Sequence, residues 1–580
     1  MSIYPDLLSI STLNFDSFRW KEQSKFSPMK KAFFFTFVII AMLVSDTDAQ
    51  VTAQWASIYN GVSSDTDQVS AIAVDNSGNV YVTGFSKSSG TGKDIATLKY
   101  NSEGQQLWVA RYNNTNANGD DVPTAIAFDN SGNVFVTGQS EGSSTFADII
   151  TIKYSSEGTE LWNDRYNGEG NDIDGATAIG VDGSGNVVVT GFSVGAVSSE
   201  DYTTIMYNSS GSRLWIAKYN NPIDFDIDVA TSLALDLSGN IYVAGYSIGT
   251  SSLEDVAIVK YNPAGVEQWV SRFNGDGNSY DISTGIAIDL NANVYVSAYS
   301  YNSVSQEDFA VIKLNSNGSQ LWVKSFNGPA NGYDISSGIA VDQSGNAFVS
   351  GYSFGGSSEE DYLTIKYNTD GVLQWDRRYN GTGNSYDIAT AVKTDKTGNV
   401  YVTGYSPDAN TFEDYTTLKY SPGGDLIWTE KYNGPANGGD IANSLAVDAS
   451  NNVYVSGFSY EGATSIDYIT VKYSQTVGIN TSSNEIASGF DLQQNYPNPF
   501  NPSTSIGFDL PVSSYVTFEV FNTTGERVTT LLNEKQSAGH HVIAFGSSEI
   551  PSGLYIYKVT VTNSLTGHAV SKSKKMLLVK

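Results

Sequence analysis

From about residue 50 to 475 the chain alternates short apolar runs with small polar turns, and the alternation itself repeats. The first complete unit opens with the run Val69–Asp75, turns at Asn76-Ser77-Gly78, and continues through Asn79-Val80-Tyr81-Val82-Thr83-Gly84-Phe85. Both runs are rich in β-branched or aromatic residues, and the glycine of the turn can supply the positive φ that a tight hairpin requires. After a loop, Asp94–Tyr100 and Gln106–Asn113 flank a second turn at Ser102–Gly104. Each unit therefore predicts four strands, a to d, in an antiparallel meander. One tryptophan marks every d strand: Trp55, Trp108, Trp162, Trp215, Trp269, Trp322, Trp375 and Trp428 fall 53 or 54 residues apart. Four strands in that length is slightly more than the usual span of a propeller blade.

The ends of the array separate a ring from an open solenoid. Gln54–Asn60 is a d-type strand with no a, b or c before it, and Asp467–Tyr473 is a c-type strand with no d after it. The N-terminal strand then completes the last blade, which removes both exposed edges. Eight strands of each type can be counted, and no copy diverges enough to lie outside the ring. The expected fold is all-β: an eight-bladed β-propeller over residues 50–475, closed by the N-terminal strand and followed by a small β-sandwich. The Asn79–Gly84 core and its equivalents resemble the bacterial β-propeller repeat known as SBBP, over residues 52 to about 475. The resemblance is specific for fold. It implies no one activity, because such propellers occur in adhesins, surface-layer proteins and other secreted proteins.

The two ends give an address. Met29-Lys30-Lys31 precedes an apolar run from Ala32 to Val44 and then Thr47-Asp48-Ala49, the order of a secretory signal with cleavage between Ala49 and Gln50. Residues 1–28 read as an upstream extension and 29–49 as the signal peptide. The apolar run is too short for a permanent span, which needs roughly 20 residues, so no membrane span is expected in the mature chain. Residues 476–489 are small and polar, a linker by composition. Residues 490–580 then carry several short alternating strands with turn signals. Asn495-Tyr496-Pro497-Asn498-Pro499-Phe500-Asn501-Pro502, Asn522-Thr523-Thr524-Gly525-Glu526, Ser552-Gly553-Leu554-Tyr555 and Lys574-Lys575-Met576 resemble, in order, the type A C-terminal sorting domain of the bacterial type IX secretion system. That resemblance implies the type IX machinery as a partner and the outer surface of a Gram-negative bacterium, or release from it, as destination.

Charge sharpens the reading. The net charge is -29. Acidic and basic residues balance at five each in residues 1–49 and seven each in 476–580, leaving 49 acidic against 20 basic between 50 and 475. Such a surface repels phosphate backbones, so nucleic acid is not an expected partner. Cysteine is absent, and the three histidines, His540, His541 and His568, all lie in the C-terminal module. Ser-His-Asp hydrolysis, thiol chemistry and His-based metal sites are thereby excluded from the repeats.

Carboxylates remain. One Asp series (Asp67, Asp121, Asp174, Asp228, Asp281, Asp334, Asp387, Asp440) precedes strand a, and a second (Asp94, Asp148, Asp201, Asp255, Asp308, Asp361, Asp414, Asp467) begins strand c. Both should lie on one face of the disc, at the mouth of the channel, where repetition in every copy favours Asx-type capping of loops over chemistry. A third series, from Asp75, belongs to the a–b turns on the opposite face. Symmetry breaks at Asp224, Asp226 and Asp228, whose alternate carboxylates suggest calcium as the one possible cofactor. The tryptophans read as packing between blades. Aromatics in the variable b–c loops, Phe146, Tyr301, Phe354, Phe412 and Tyr460, are the candidate contact residues. The expectation is a monomeric, non-enzymatic binding or adhesion scaffold for a glycan or protein. A carbohydrate-active hydrolase or lyase using Asp/Glu, and a purely structural envelope protein, are the alternatives.

Overall fold

The computed structural model describes residues 51–62, 65–221, 227–250, 252–408, 411–460, 466–475, 490–510, 514–536, 539–546, 550–563 and 569–580. The expected extension at 1–28, the signal segment at 29–49 with its junction at Ala49 and Gln50, and the linker at 476–489 lie outside the described residues. Every regular element among the described residues is a strand. The chain divides into two compact units, parted between Gly478 and Ile479.

In the first unit the strands form eight four-stranded sheets, one per repeat. Asp67–Val74, Val80–Ser88, Gly92–Tyr100 and Gln106–Tyr112 are strands a to d of the first blade. Each a strand lies against the a strand of the next blade, from Asp67–Val74 onward to Asp440–Val447 of the eighth, which in turn meets Asp67–Val74. The a strands therefore surround the axis. The d strand of the eighth blade is Val51–Tyr59, antiparallel to Ile466–Gln475, with Val51 opposite Gln475 and Tyr59 opposite Tyr468. Across the junction of the eighth and first blades, Asn443 Nδ2 donates to Val69 O at 2.9 Å and Lys472 Nζ to Ser102 O at 2.8 Å.

Neighbouring blades cover both faces of strands b and c, which is why these strands read as continuous apolar runs rather than alternating ones. Val80, Tyr81 and Val82 are all fully buried, as are Val294, Tyr295 and Val296. Where hydroxyls enter this layer they pair with each other: Thr83 Oγ1 lies 3.0 Å from Thr97 Oγ1, and Thr403 Oγ1 2.9 Å from Thr417 Oγ1.

The periodic tryptophan fastens each blade to the next. Trp55 Nε1 donates to Ser102 O (3.0 Å), Trp108 Nε1 to Ser156 O (3.0 Å) and Trp322 Nε1 to Thr369 O (3.0 Å), in each case the c–d turn of the following blade. A lysine of strand c reaches the same carbonyl, as Lys99 Nζ does to Ser156 O at 3.1 Å and Lys313 Nζ to Thr369 O at 2.9 Å. The indole ring leaves room for nothing larger than glycine in the turn. Gly104 has φ +81, and a Cβ there would stand 2.5 Å from the Trp55 ring. Trp428 is the exception that the topology explains. The turn it would grip belongs to the eighth blade, whose c and d strands come from opposite ends of the array, and its Nε1 has no hydrogen-bond partner among the described residues.

The second unit contains a three-stranded sheet, Asp491–Leu492, Ser503–Leu510 and Gly539–Gly546, and a four-stranded one ordered Arg527–Gln536, Ser514–Phe521, Gly553–Asn563, Ala569–Leu578. Phe490, Leu492, Ile506 and Phe508 meet Val516, Phe518, Tyr557 and Met576 in one core between them. Buried Asn495 ties the opening motif down: its N–H donates to Tyr557 OH, and its Nδ2 donates to Pro497 O and Thr504 Oγ1, each at 3.0 Å. The Asn522–Glu526 turn is closed by Asn522 Oδ1, which accepts from Thr524 N at 3.1 Å and Glu526 N at 2.9 Å.

Removing residues 51–60 is expected to bare the apolar edge of Ile466–Gln475 and lower the melting temperature by on the order of 10 °C. A melt within a degree or two of the parent would show that the eighth blade does not need that strand. Gly104→Ala should cost about 2 kcal/mol or more in denaturant unfolding, because it combines strain at positive φ with a clash against Trp55; an unchanged midpoint would mean the indole contact carries no stability.

Candidate functional site

Both repeated Asp series enter the scaffold. Asp67 stands directly opposite Ser86, and Ser86 opposite Asp94, so one row of side chains crosses strands a, b and c near the same end of the blade. The a-strand carboxylates are at most 1% exposed and the c-strand ones 3–8%, so neither set offers itself to a ligand at the mouth. Each a-strand carboxylate accepts a backbone N–H from the preceding d–a loop: Gly61 N to Asp67 at 2.6 Å, Asn114 N to Asp121 at 2.8 Å, Asn221 N to Asp228 at 3.0 Å and Gly381 N to Asp387 at 2.7 Å. Burial raises these carboxyls above the ordinary range, against the hydrogen bonds from serine and backbone that lower them, and Asp387 is raised to about 6. Six of the c-strand carboxylates accept from a Ser or Thr three residues earlier, as Asp148 does from Thr145 (3.0 Å) and Asp361 from Ser358 (2.9 Å). Four of them also meet a strand-d arginine, with Arg165–Asp148 at 2.6 Å and Arg378–Asp361 at 2.9 Å among the pairs. Asp75 and its equivalents hold the a–b turns, where Asp75 Oδ1 accepts from Ser77 N and Asn79 N at 2.8 and 2.9 Å.

Of the calcium candidates, Asp224 and Asp226 lie outside the described residues. Asp228 is fully buried and serves the strand-a clamp as its seven equivalents do.

A second arrangement escaped the sequence reading. In five consecutive blades, the third to the seventh, the residue before the c-strand Asp is glutamate: Glu200, Glu254, Glu307, Glu360 and Glu413. Strand b, beside it, carries Phe192, Tyr246, Tyr299, Tyr352 and Tyr405 just before its paired serine. All ten side chains are half-buried. Tyr280, Tyr333 and Tyr386, at the entrance to strand a, donate to Glu307, Glu360 and Glu413 respectively. The glutamate bonds push Tyr333 and Tyr386 up to about 12. Burial raises Tyr299 and Tyr352, and each is raised further by the next tyrosine round the ring, Tyr352 and Tyr405. The result is a crescent of tyrosines and carboxylates on the face formed by the b–c and d–a loops. It stops at the other three blades, where the two positions hold Phe85 and Lys93, Gln139 and Ala147, and Phe458 and Ile466.

The five candidate contact residues fall on the same face but divide. Tyr301 packs at a tilt against Tyr280 (ring centroids 5.2 Å) and Phe354 against Tyr333 (5.6 Å), so both belong to the crescent. Phe146, Phe412 and Tyr460 stay open to solvent, at 62, 66 and 43% exposure. The signal for the crescent was present as Glu-Asp pairs in five successive copies. It passed unnoticed because only the ring places equivalent residues of different blades side by side.

Comparison with known proteins follows the same division. The Beta-propeller repeat family, SBBP, matches residues 54–90, 107–144, 223–251 and 322–356. The Secretion system C-terminal sorting domain matches residues 494–572. An eight-bladed propeller with an export module is the class the fold defines. The chain thus carries SBBP-type propeller repeats and a type IX secretion sorting domain, the mark of proteins exported to the cell surface or released in Bacteroidetes. An uncharacterized WD repeat-containing protein of Acanthamoeba polyphaga mimivirus is 23% identical over 468 residues, covering 61% of this chain and 30% of that protein. Among solved structures, PorZ, a surface component of the type IX secretion system of Porphyromonas gingivalis, is 14% identical, covering 88% of this chain and 59% of its own, with a TM-score of 0.36. An ancestral GH74 enzyme is 12% identical, covering 90% of this chain and 64% of its own, with a TM-score of 0.36. The chain thus spans less than two thirds of the length of each of these three proteins. Among the described residues no helix is long and apolar enough to cross a membrane.

The buried strand-a carboxyls set a pH dependence. A folded-state pKa raised above the unfolded value means the native state holds its proton more tightly, so stability grows as pH falls through that pKa. For Asp387 the window runs from about 6 down to the ordinary aspartate value of 3.8. The urea midpoint should therefore rise between pH 7.5 and 5, and Asp387→Asn should flatten part of that rise. A midpoint that falls over this interval would contradict the raised carboxyls.

Proposed function

We propose that the propeller is a non-enzymatic binding scaffold that presents its b–c and d–a loop face to a protein partner outside the cell. Export itself is given by the sorting domain. The observation that carries the binding role is the five-blade crescent, half-buried aromatic rings interleaved with carboxylates on one face, flanked by the exposed rings of Phe146 and Phe412. Tyrosine-rich surfaces supply large contact area at low entropic cost. Interleaved carboxylates on a propeller with 49 acidic against 20 basic residues favour a cationic protein surface over a neutral glycan. A hydrolase would need two carboxyls whose environments set them apart as acid and base. Glu307, Glu360 and Glu413 instead share one environment three times over, each accepting from its own tyrosine.

A protein and glycan array probed with the purified protein tests the reading, with the triple variant Glu307→Gln, Glu360→Gln, Glu413→Gln as control. Protein hits weakened about tenfold or more in the variant, at an unchanged melting temperature, are expected. Hits confined to glycans would assign the face to carbohydrate, and hits insensitive to the triple variant would move the contact elsewhere. Truncation after Gln475 should leave a folded propeller that stays in the periplasm of a type IX-secreting host. Normal amounts of that truncated chain at the cell surface would remove the second unit from the export route.

A further inference from the structure

In four blades a strand-d arginine, three residues after the periodic tryptophan, occupies a receptor of fixed composition. Arg111 donates to Ser86 Oγ (3.0 Å) and Ser86 O (3.2 Å) and pairs with Asp94 (3.5 Å). Arg165 does the same with Ser140 Oγ (3.1 Å), Ser140 O (2.7 Å) and Asp148 (2.6 Å). Arg272 repeats it on Ser247 Oγ (2.5 Å), Ser247 O (2.7 Å) and Asp255 (3.0 Å). In the sixth blade Arg378 holds Ser353 Oγ (2.6 Å), Ser353 O (2.8 Å) and Asp361 (2.9 Å). The third and seventh blades have Lys218 and Lys431 at this position, and the eighth has the apolar Ile58.

The fifth blade keeps the receptor and lacks the cation. Ser300 and Asp308 stand where Ser353 and Asp361 stand in the sixth, but the strand-d residue is Ser325. The adjoining aromatic differs in neither case, being Phe273 for the fifth blade and Phe326 for the sixth. Lys324, next in sequence, lies against Gly371 in the c–d turn of the sixth blade, on the opposite face. Solvent reaches the gap: Ser300 is 7% exposed while its seven counterparts are at 0%, and Asp308, at 8%, is the most exposed of its series. Asp308 Oδ2, the oxygen that meets the arginine in the filled blades, accepts only from Ser305 Oγ (2.7 Å) among the described residues. Burial raises the Asp308 carboxyl as it raises its counterparts Asp201 and Asp414, but Glu307 adds to the rise at Asp308 whereas Lys218 and Lys431 oppose it at the other two. Among the described residues no group of three or more acidic, His or Cys side chains is arranged for a metal ion. The gap therefore suits a planar organic cation that can bond two serine oxygens and a carboxylate at once.

We infer that the fifth blade is a receptor for an arginine side chain supplied from outside, held by Ser300 and Asp308 beside the crescent. The inference rests on the proposed contact face and names the partner chemistry there: a protein presenting an arginine. The receptor in this chain is a copy of one that the same fold fills four times with its own guanidinium.

The test uses N-acetyl-L-arginine amide as probe, with the citrulline and lysine amides as controls, read by thermal shift and calorimetry on the full chain. The expected result is a saturable response to the arginine probe that citrulline does not give and lysine gives more weakly. Ser325→Arg should raise the melting temperature without probe and abolish the response. Asp308→Asn, which keeps the side-chain volume, should weaken the response about tenfold or more. No saturable arginine response in the parent chain, an equal response to citrulline, or an undiminished response in Ser325→Arg and Asp308→Asn would each overturn the inference. Array hits that depend on the Glu307, Glu360 and Glu413 triple variant would still stand in that event, so this receptor and the broader contact face can fail separately.

Discussion

Every blade of this propeller is buried on both faces, and the rest of the structure follows from that constraint. A sheet covered on both sides cannot alternate polar and apolar residues, so strands b and c carry apolar residues on both faces and their few polar members must find partners within the layer. Trp55 and its equivalents complete the arrangement by crossing from one blade to the c–d turn of the next, where indole N–H and strand-c lysine share a carbonyl. A single such bond contributes only about 1 kcal/mol. Its weight lies in fixing the register of neighbouring blades, since the turn glycine and the ring admit no other spacing.

The carboxylates show how the same constraint consumes chemistry. Sixteen aspartates at one end of the blades look like a reactive mouth when written along a line. In the ring they close loops: the strand-a set satisfies backbone N–H groups that burial would otherwise leave orphaned, and the strand-c set meets hydroxyls and arginines. What is left for recognition is the next layer outward, the glutamates and tyrosines one residue further toward the loops. That layer is not eightfold. It spans five blades, and within it the fifth blade alone among those five lacks a strand-d cation.

Function on such a frame comes from departures from the repeat. Ser325 in place of arginine, Lys93 in place of glutamate, and Phe192 in place of tyrosine each leave the strands unchanged and alter what the face presents. The export module is separate in kind. Its core draws on two sheets and its opening motif is fixed by Asn495 and Tyr557, so the matched sorting-domain residues are held by packing within their own unit.

The periodic tryptophans, the turn glycines and the lone d and c strands at the ends were legible in the sequence because each depends on local chemistry repeated at a fixed interval. They determined the blade, its four strands, their number and the pairing of Val51–Tyr59 with Ile466–Gln475. The structural role of the aspartates was legible too, from their recurrence in every copy. Neither the Tyr–Glu crescent nor the cation gap beside Asp308 could be read that way. Tyr299 and Tyr352 are 53 residues apart in the chain and become neighbours only when the blades are arrayed around the axis. Ser325 is an unremarkable strand residue until the ring shows what its equivalents hold. Periodicity along the chain encodes the unit, and the lateral apposition of units, which closure of the ring imposes, decides which side chains form a surface together.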